Sequence, residues 1–400
     1  PGPIYEISSV EIAPGFSTGA ERLIRASFKP AVGTTYSPPE LEIMNRRLLD
    51  TGVFARMELE PVDQPDGTLA LRVRGEEGMR TTLGLYGGYE TFQGPIIGAE
   101  VRKVNFMNSG NSASAKAEYT GRGINASLKM LDPALFGSRY SLSSEVGAET
   151  FSIFDYDRNS LFGKLGLERR WNKHITSSLF GQYSDNKVES DELTALELGP
   201  DEYQLGSVGA ALVFDYRNSP VVPTDGWTAS ASVTSSGGDV QFLRSEISFS
   251  IYQPLTKKLR VAASAKARAV TISGGVDELP IDLRLFNGGA TSVRSFTERE
   301  MGVKSKSGTP LGGTASQVFS VELSYEVRPN LELALFGDAG SLSREEDNLF
   351  SSPSDLRYAI GLGIRYKLPI GPLRIDYGFN PDRKDGEDLG ALHITFGFAF

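Results

Sequence analysis

The 400-residue chain contains no cysteine, which excludes disulfides, thiol catalysis and zinc–thiolate sites. It has two histidines, too few for a His-rich metal site or an extended His-based catalytic site. Positive charge is in deficit: 41 Lys and Arg against 50 Asp and Glu leave a net charge of −9 and argue against nucleic acid as the main partner. No run of about 18 apolar residues occurs, so no spanning α-helix is expected. No phosphate-binding loop, zinc spacing or nucleophile motif is present, and the chain reads as a non-enzyme without a cofactor or metal. No signal peptide is read in the chain, and Pro1 reads as the start of a mature or trimmed chain. Glycine, by contrast, is abundant, with 44 residues against a usual share of about 7%. Aromatic character comes from 22 Phe and 15 Tyr and hardly from the two Trp.

The pattern changes near residue 76. Residues 1–76 read β-α-α-β-β, beginning with a strand signal at Tyr5–Ile12 and a helical stretch from about Gly19 to Phe28. Ser37-Pro38-Pro39-Glu40 predicts a second helix start, with Ser37 as N-cap, Pro38 at N1 and Glu40 closing a capping box. Leu41, Met44 and Leu48 fall on one face, and Gly52 supplies the stop. Ala55, Met57 and Leu59 then alternate with charged residues, as do Leu69, Leu71 and Val73, which predicts two half-buried strands.

Residues 77–400 lose helical periodicity, and period-2 alternation takes over from Met79. Leu356, Tyr358, Ile360, Leu362, Ile364 and Tyr366 alternate with Arg357, Ala359, Gly361, Gly363, Arg365 and Lys367. A soluble sandwich also alternates, but its strands are usually about 5–6 residues long. Many segments here run 10–15 residues, enough to cross a bilayer at a tilt, and spanning strands must close into a barrel. Sixteen segments can be counted, centred from Leu85 to Thr395. Tight turns at Asn172-Lys173, Thr256-Lys257 and Pro329-Asn330 follow even-numbered segments. Long connections at Asp185–Glu202, Gly274–Ala315, Ser343–Asp355 and Asn380–Leu389 follow odd ones, the alternation of periplasmic turns and outer loops. The expected fold class is mainly β, a 16-stranded transmembrane barrel over residues 77–400 behind a small α+β domain over 1–76.

Three motifs stand in the second half of the barrel: Gly288-Gly289-Ala290-Thr291-Ser292-Val293-Arg294-Ser295-Phe296, Phe336-Gly337-Asp338-Ala339-Gly340, and Gly361-Leu362-Gly363-Ile364-Arg365 continuing to Asp376-Tyr377-Gly378. With the β-α-α-β-β unit, which resembles a POTRA (polypeptide-transport-associated) domain, they resemble the outer-membrane barrel assembly superfamily of the BamA/TamA type. Tyr36-Ser37-Pro38 and Arg46 to Phe54 look closest to the barrel-proximal domain of TamA. That family usually carries three POTRA domains, so the resemblance implies a truncated or reduced relative. It also implies that Val293, Arg294, Ser295 and Phe296 lie on a sixth outer loop folded into the lumen, where Arg294 pairs with Asp338 beside Phe336. The alternative is an exposed loop and an Asp338 facing lumen water. Ser295 departs from the family glycine and puts the turn at the loop tip in question.

Other sites are bland. His174 and His393 read as structural, and Asp382, Asp385, Glu387 and Asp388 as a solvated acidic loop before a cation site. Phe396, Phe398 and Phe400 resemble a C-terminal assembly signal. The first segment carries Gly84, Gly87 and Gly88 beside Leu85, and the last carries Thr395 and Gly397, which predicts a weakly paired lateral seam. Relief of crowding is the competing reading of those glycines.

The function implied is an insertase acting by lateral opening on unfolded outer-membrane clients. Its expected setting is a monomeric barrel in outer-membrane lipid, with a periplasmic or inner-membrane accessory protein as a further candidate partner. A polypeptide pore of the two-partner-secretion type is the alternative, and a passive porin is held third.

Overall fold

A computed structural model describes residues 5–344, 356–368 and 371–396. The N-terminal unit runs β1 (Ile7–Ile12), α1 (Thr18–Phe28), α2 (Pro38–Leu49), β2 (Phe54–Asp63) and β3 (Leu69–Glu77). The sheet order is β1-β3-β2, with β1 parallel and β2 antiparallel to the central β3. Both helices cover one face, burying Leu23, Ile24, Phe28 and Leu48 against Ile7, Leu71 and Val73.

Two local expectations fail here for identifiable reasons. Ser37 is the N-cap of α2, but its side chain makes no capping hydrogen bond. Prolines at the first two helical positions already remove two donors, so little is left to cap. In β2 the buried residues are Phe54 and Met57 while Ala55 is exposed, because a bulge between Phe54 and Arg56 shifts the phase of alternation.

Sixteen strands follow. The first half comprises β4 (Thr81–Glu90), β5 (Gly94–Phe106), β6 (Asn111–Thr120), β7 (Gly123–Asp132), β8 (Tyr140–Ile153), β9 (Tyr156–Arg170), β10 (Ile175–Glu189) and β11 (Glu202–Asp215). The second comprises β12 (Gly226–Gly238), β13 (Phe242–Pro254), β14 (Leu259–Thr271), β15 (Ala315–Arg328), β16 (Leu331–Ser343), β17 (Arg357–Leu368), β18 (Gly371–Phe379) and β19 (Gly390–Phe396). They close into a barrel in which every neighbouring pair is antiparallel. The connection read at Asp185–Glu202 is shorter than expected, since β10 continues to Glu189.

One parity of each strand leaves large apolar side chains exposed, among them Leu85, Ile97, Leu128, Leu161, Val208, Ile247 and Leu362. Exposure on that scale all round a barrel is stable only against lipid. Near the turn side, Tyr216 stacks on Trp227 at 4.7 Å and on His174 at 4.1 Å, an aromatic cluster of the kind found at membrane interfaces.

The two units share a core. Val104, near the end of β5, and Ala134, from the β7–β8 turn, are buried with the helices of the N-terminal unit. Gly19 of α1 and Gly110 meet backbone to backbone, so a Cβ on Gly19 would lie 2.1 Å from the Gly110 nitrogen. Arg22 bridges the joint to Asp132 (2.9 Å), Asn111 and the Ala134 carbonyl. Glu77 sits at the same joint. Burial pushes its carboxyl up, but hydrogen bonds from Ser17 and Asn105 and the Arg80 charge outweigh burial and hold it below the ordinary range.

Candidate functional site

The connection between β14 and β15 does not stay outside. Val276, Leu279, Ile281 and Leu285 are buried with Ile153, Tyr156, Val188 and Tyr203, so the first part of the loop plugs the outer end of the barrel. Gly288 and Gly289, both at φ near +100°, then reverse the chain into a compact tip closed by Gly289 N–H to the Phe296 carbonyl at 3.0 Å.

Arg294 stands at that tip, 3% exposed. Its Nε and backbone N–H donate to Asp338 Oδ2 at 2.8 and 3.1 Å, and Nη2 donates to Oδ1 at 2.7 Å. Its guanidinium lies 3.4 Å from the Phe336 ring centroid, so the cation is stacked as well as paired. Nη1 reaches Glu322 at 2.9 Å and Asp376 at 3.6 Å. Arg365 joins Glu322 to Asp376, and Arg374 closes on Asp376 at 2.6 Å. Three cations thus meet three carboxylates inside the wall formed by β15 to β18. Burial of so much charge is tolerable only because every member is paired and hydrogen-bonded.

Glycines make the docking possible. A Cβ on Gly378 would lie 2.2 Å from the Arg294 carbonyl oxygen, and one on Gly361 would lie 2.2 Å from the Phe336 ring. Val293 is fully buried and packs so closely on Gly340 that a Cβ there would lie 2.8 Å from its methyl group. Ser295 is buried, with φ outside the positive region, and its hydroxyl donates to the Tyr358 carbonyl at 2.7 Å. The tip therefore does not require glycine at 295. Phe296 is buried beside Phe336 and Met301.

Sequence motifs alone do not assign Glu322, Arg365, Arg374 and Asp376 to this cluster; they alternate with the apolar Val321, Leu323, Ile364 and Ile375 and so share the inward face. His393 has a structural place: its Nε2 lies 3.0 Å from the Arg294 carbonyl, so it braces the tip. His174 bonds the Asp215 carbonyl through Nδ1 at 2.7 Å, a local brace far from the loop. In the outer loop, Arg357 takes Glu387 by two hydrogen bonds of 2.5 and 2.7 Å, and these hold the Glu387 carboxyl down to about 2. Asp382 also approaches Arg357, at 3.6 Å. Among the described residues no group of three potential ligands is arranged to hold a metal.

At the seam, Thr395 faces Glu90 and Phe396 faces Tyr89. Thr91 adds bonds to Ile394, and Gly390 to His393 lie beyond the end of β4 with no β4 partner. Leu85 does not face Thr395; it pairs with Ala99 of β5, and the β4 residue opposite Thr395 is Glu90. A Cβ on Gly84 would meet nothing closer than 3.9 Å, so crowding does not explain that glycine; on Gly87 the nearest atom would be 3.3 Å away. Gly88 lies in β4 opposite Ile96. Gly397, Phe398 and Phe400 lie outside the described residues.

Comparison with known proteins matches the Omp85 superfamily domain to residues 105–400. The outer membrane protein assembly factor BamA of Nitratidesulfovibrio vulgaris is 23% identical, covering 95% of this chain and 49% of its own length. The chain spans about half the length of the curated BamA relatives it matches. Among solved structures, BamA from Haemophilus ducreyi lacking POTRA domains 1-3 superposes with a TM-score of 0.79 at 18% identity, over 98% of this chain and 84% of that one. CdiB from Acinetobacter baumannii gives 0.61 at 15% identity, over 98% and 73%.

Proposed function

This chain belongs to the Omp85 superfamily, and we propose that it assists the folding and insertion of other β-barrel or autotransporter proteins into the outer membrane. The protein itself resides in the bacterial outer membrane, as its lipid-facing barrel and BamA relatives indicate, with the N-terminal unit in the periplasm. The proposed clients are unfolded outer-membrane polypeptides, and the proposed route is opening between β4 and β19.

The observation that carries this reading is the outer half of β19. Gly390 to His393 present a strand edge without a β4 partner, and an unpaired edge is a template for an incoming strand. Glycine at 84 lowers the strand preference of β4 without any steric need for it. The Arg294 cluster holds β15 to β18 together, which would leave the opposite edge of β19 as the movable one. This is templating work with no covalent chemistry, and the chain acts here as a non-enzyme.

The N-terminal unit fits a POTRA role at residues 1–76. The outer side of β1 is occupied by bonds from the 33–36 segment, whereas β2 keeps its outer edge free for an extended client segment.

The test is reconstitution of the chain in lipid vesicles with a urea-unfolded outer-membrane barrel as client. The expected result is faster appearance of the client's heat-modifiable folded form than in empty vesicles. Equal rates would overturn the proposal. Delivery of a protease-protected, unfolded polypeptide to the far side would instead favour a secretion pore of the two-partner type.

A further inference from the structure

A half-open cavity of about 720 Å³ lies between the N-terminal unit and the periplasmic mouth of the barrel, within the size range of ligand sites. Its floor is apolar and belongs to the two helices: Leu23, Met44, Leu48 and Ile43, the last 47% exposed. Its barrel wall carries Arg102 of β5, Lys129 of β7 and Arg170 of β9. On these strands Val101, Leu128 and Leu165 are the exposed lipid-facing positions, so the three cations lie on the opposite, lumen side. Arg47 of α2 and Arg139 of the β7–β8 turn complete the lining.

The cations here are not balanced as those of the Arg294 cluster are. Five line the cavity against three carboxylates, Glu40, Asp50 and Glu168. Among the described residues none of the five makes an ion pair or a side-chain hydrogen bond. Burial, with the charges of Arg170 and Arg139, lowers the Arg47 guanidinium below its ordinary value, the sign of like charges facing one another with no anion between them. In a chain of net charge −9 this is a local positive field at a concave entrance, where field lines concentrate.

We propose that this cavity receives acidic–apolar segments of an unfolded client polypeptide. Carboxylates would meet Arg47, Arg139 and Arg170 while apolar side chains rest on Ile43 and Met44. An extended peptide places alternate side chains on opposite faces, which suits a cationic roof over an apolar floor. A bilayer lipid is disfavoured because the barrel cations face the lumen and not the lipid surface. The proposal rests on the assembly reading and adds to it where, and by what chemistry, a client is first held.

Trp171 lines the same cavity, and the second tryptophan, Trp227, is stacked on Tyr216 in the aromatic cluster. With Trp227→Phe, the fluorescence of the full chain in lipid vesicles reports on Trp171 alone. Three probes are titrated: a ten-residue Leu/Glu alternating peptide, its Leu/Lys counterpart, and inorganic phosphate. The Leu/Glu peptide is expected to give a saturable change, weakened about tenfold by Arg47→Gln and again by Arg170→Gln. The change should also weaken between about 50 mM and about 500 mM salt. No response, an equal response to the Leu/Lys peptide, or competition by phosphate at similar concentration would overturn the site. Heat-modifiability of each variant confirms a folded barrel. Client insertion measured on the same samples separates the two claims: insertion without peptide binding removes the site alone, and peptide binding without insertion removes the assembly reading.

Discussion

Arg294 and Asp338 are joined by three hydrogen bonds, one of them from the Arg294 backbone N–H, so the loop itself as well as its side chain is tied to β16. Both residues are almost fully buried. Removing the cation by Arg294→Ala leaves Asp338 and Asp376 short of a partner, and breaking a buried pair typically costs about 3–5 kcal/mol. The barrel should unfold at lower temperature in a heat-modifiability series. Arg294→Lys should recover only part of the loss, because it keeps the charge but not the fork or the stacking on Phe336. An unchanged transition in Arg294→Ala would count against the lock.

Gly378→Ala should mimic that loss without touching any charge. Its Cβ would sit 2.2 Å from the Arg294 carbonyl oxygen, so the tip must retreat from β18. Trypsin should then cleave at Arg294 or Arg299 in the folded barrel, where the parent resists. Resistance equal to the parent's would mean that the tip adapts without undocking.

Ser295→Gly restores the residue usual in the family and should cost about 0.5–1.5 kcal/mol, because one buried hydrogen bond to Tyr358 is lost and no positive φ is relieved. A more stable variant in the same heat series would show that serine strains the tip.

Much of this arrangement is legible in the sequence. Alternation of Leu362, Ile364 and Tyr366 with Gly361, Gly363 and Arg365 separates lipid face from lumen face because the strand period is two. The same period puts Glu332, Phe336 and Asp338 on one wall, opposite Leu333 and Leu335, and all three are buried. The depth to which Arg294 returns is a different matter. No local periodicity encodes a long loop re-entering the barrel, and only its resemblance to a known family pointed there. Gly378 was part of a motif, yet its reason is a contact with residue 294, far away in sequence. The shift of burial from Ala55 to Phe54 comes from a bulge, which period-2 reading cannot foresee.

The outer loop should respond to acid. Glu387 is held down to about 2 by Arg357, below its ordinary value near 4.5. A depressed carboxyl stabilises above its unfolded value, so the contribution is complete above about pH 4.5 and is lost as pH falls from there toward about 2. Hydrogen exchange across residues 380–389, corrected for intrinsic rate, should rise over that window. Glu387→Gln should exchange fast at neutral pH and lose the dependence.

The first strand offers a graded test. Gly84→Ala has room for its methyl group and should stabilise β4 by about 0.5–1 kcal/mol. If a weak seam serves insertion, the variant should resist heat better and insert clients more slowly. Faster insertion by a more stable barrel would contradict that link.

The most direct measurement concerns the seam itself. Thr395 faces Glu90, so Glu90→Cys with Thr395→Cys places two thiols across it in a protein with no other cysteine. The oxidised pair, reconstituted in vesicles, should lose client insertion, and reduction should restore the parent rate. Insertion at the parent rate with the seam covalently closed would contradict lateral opening.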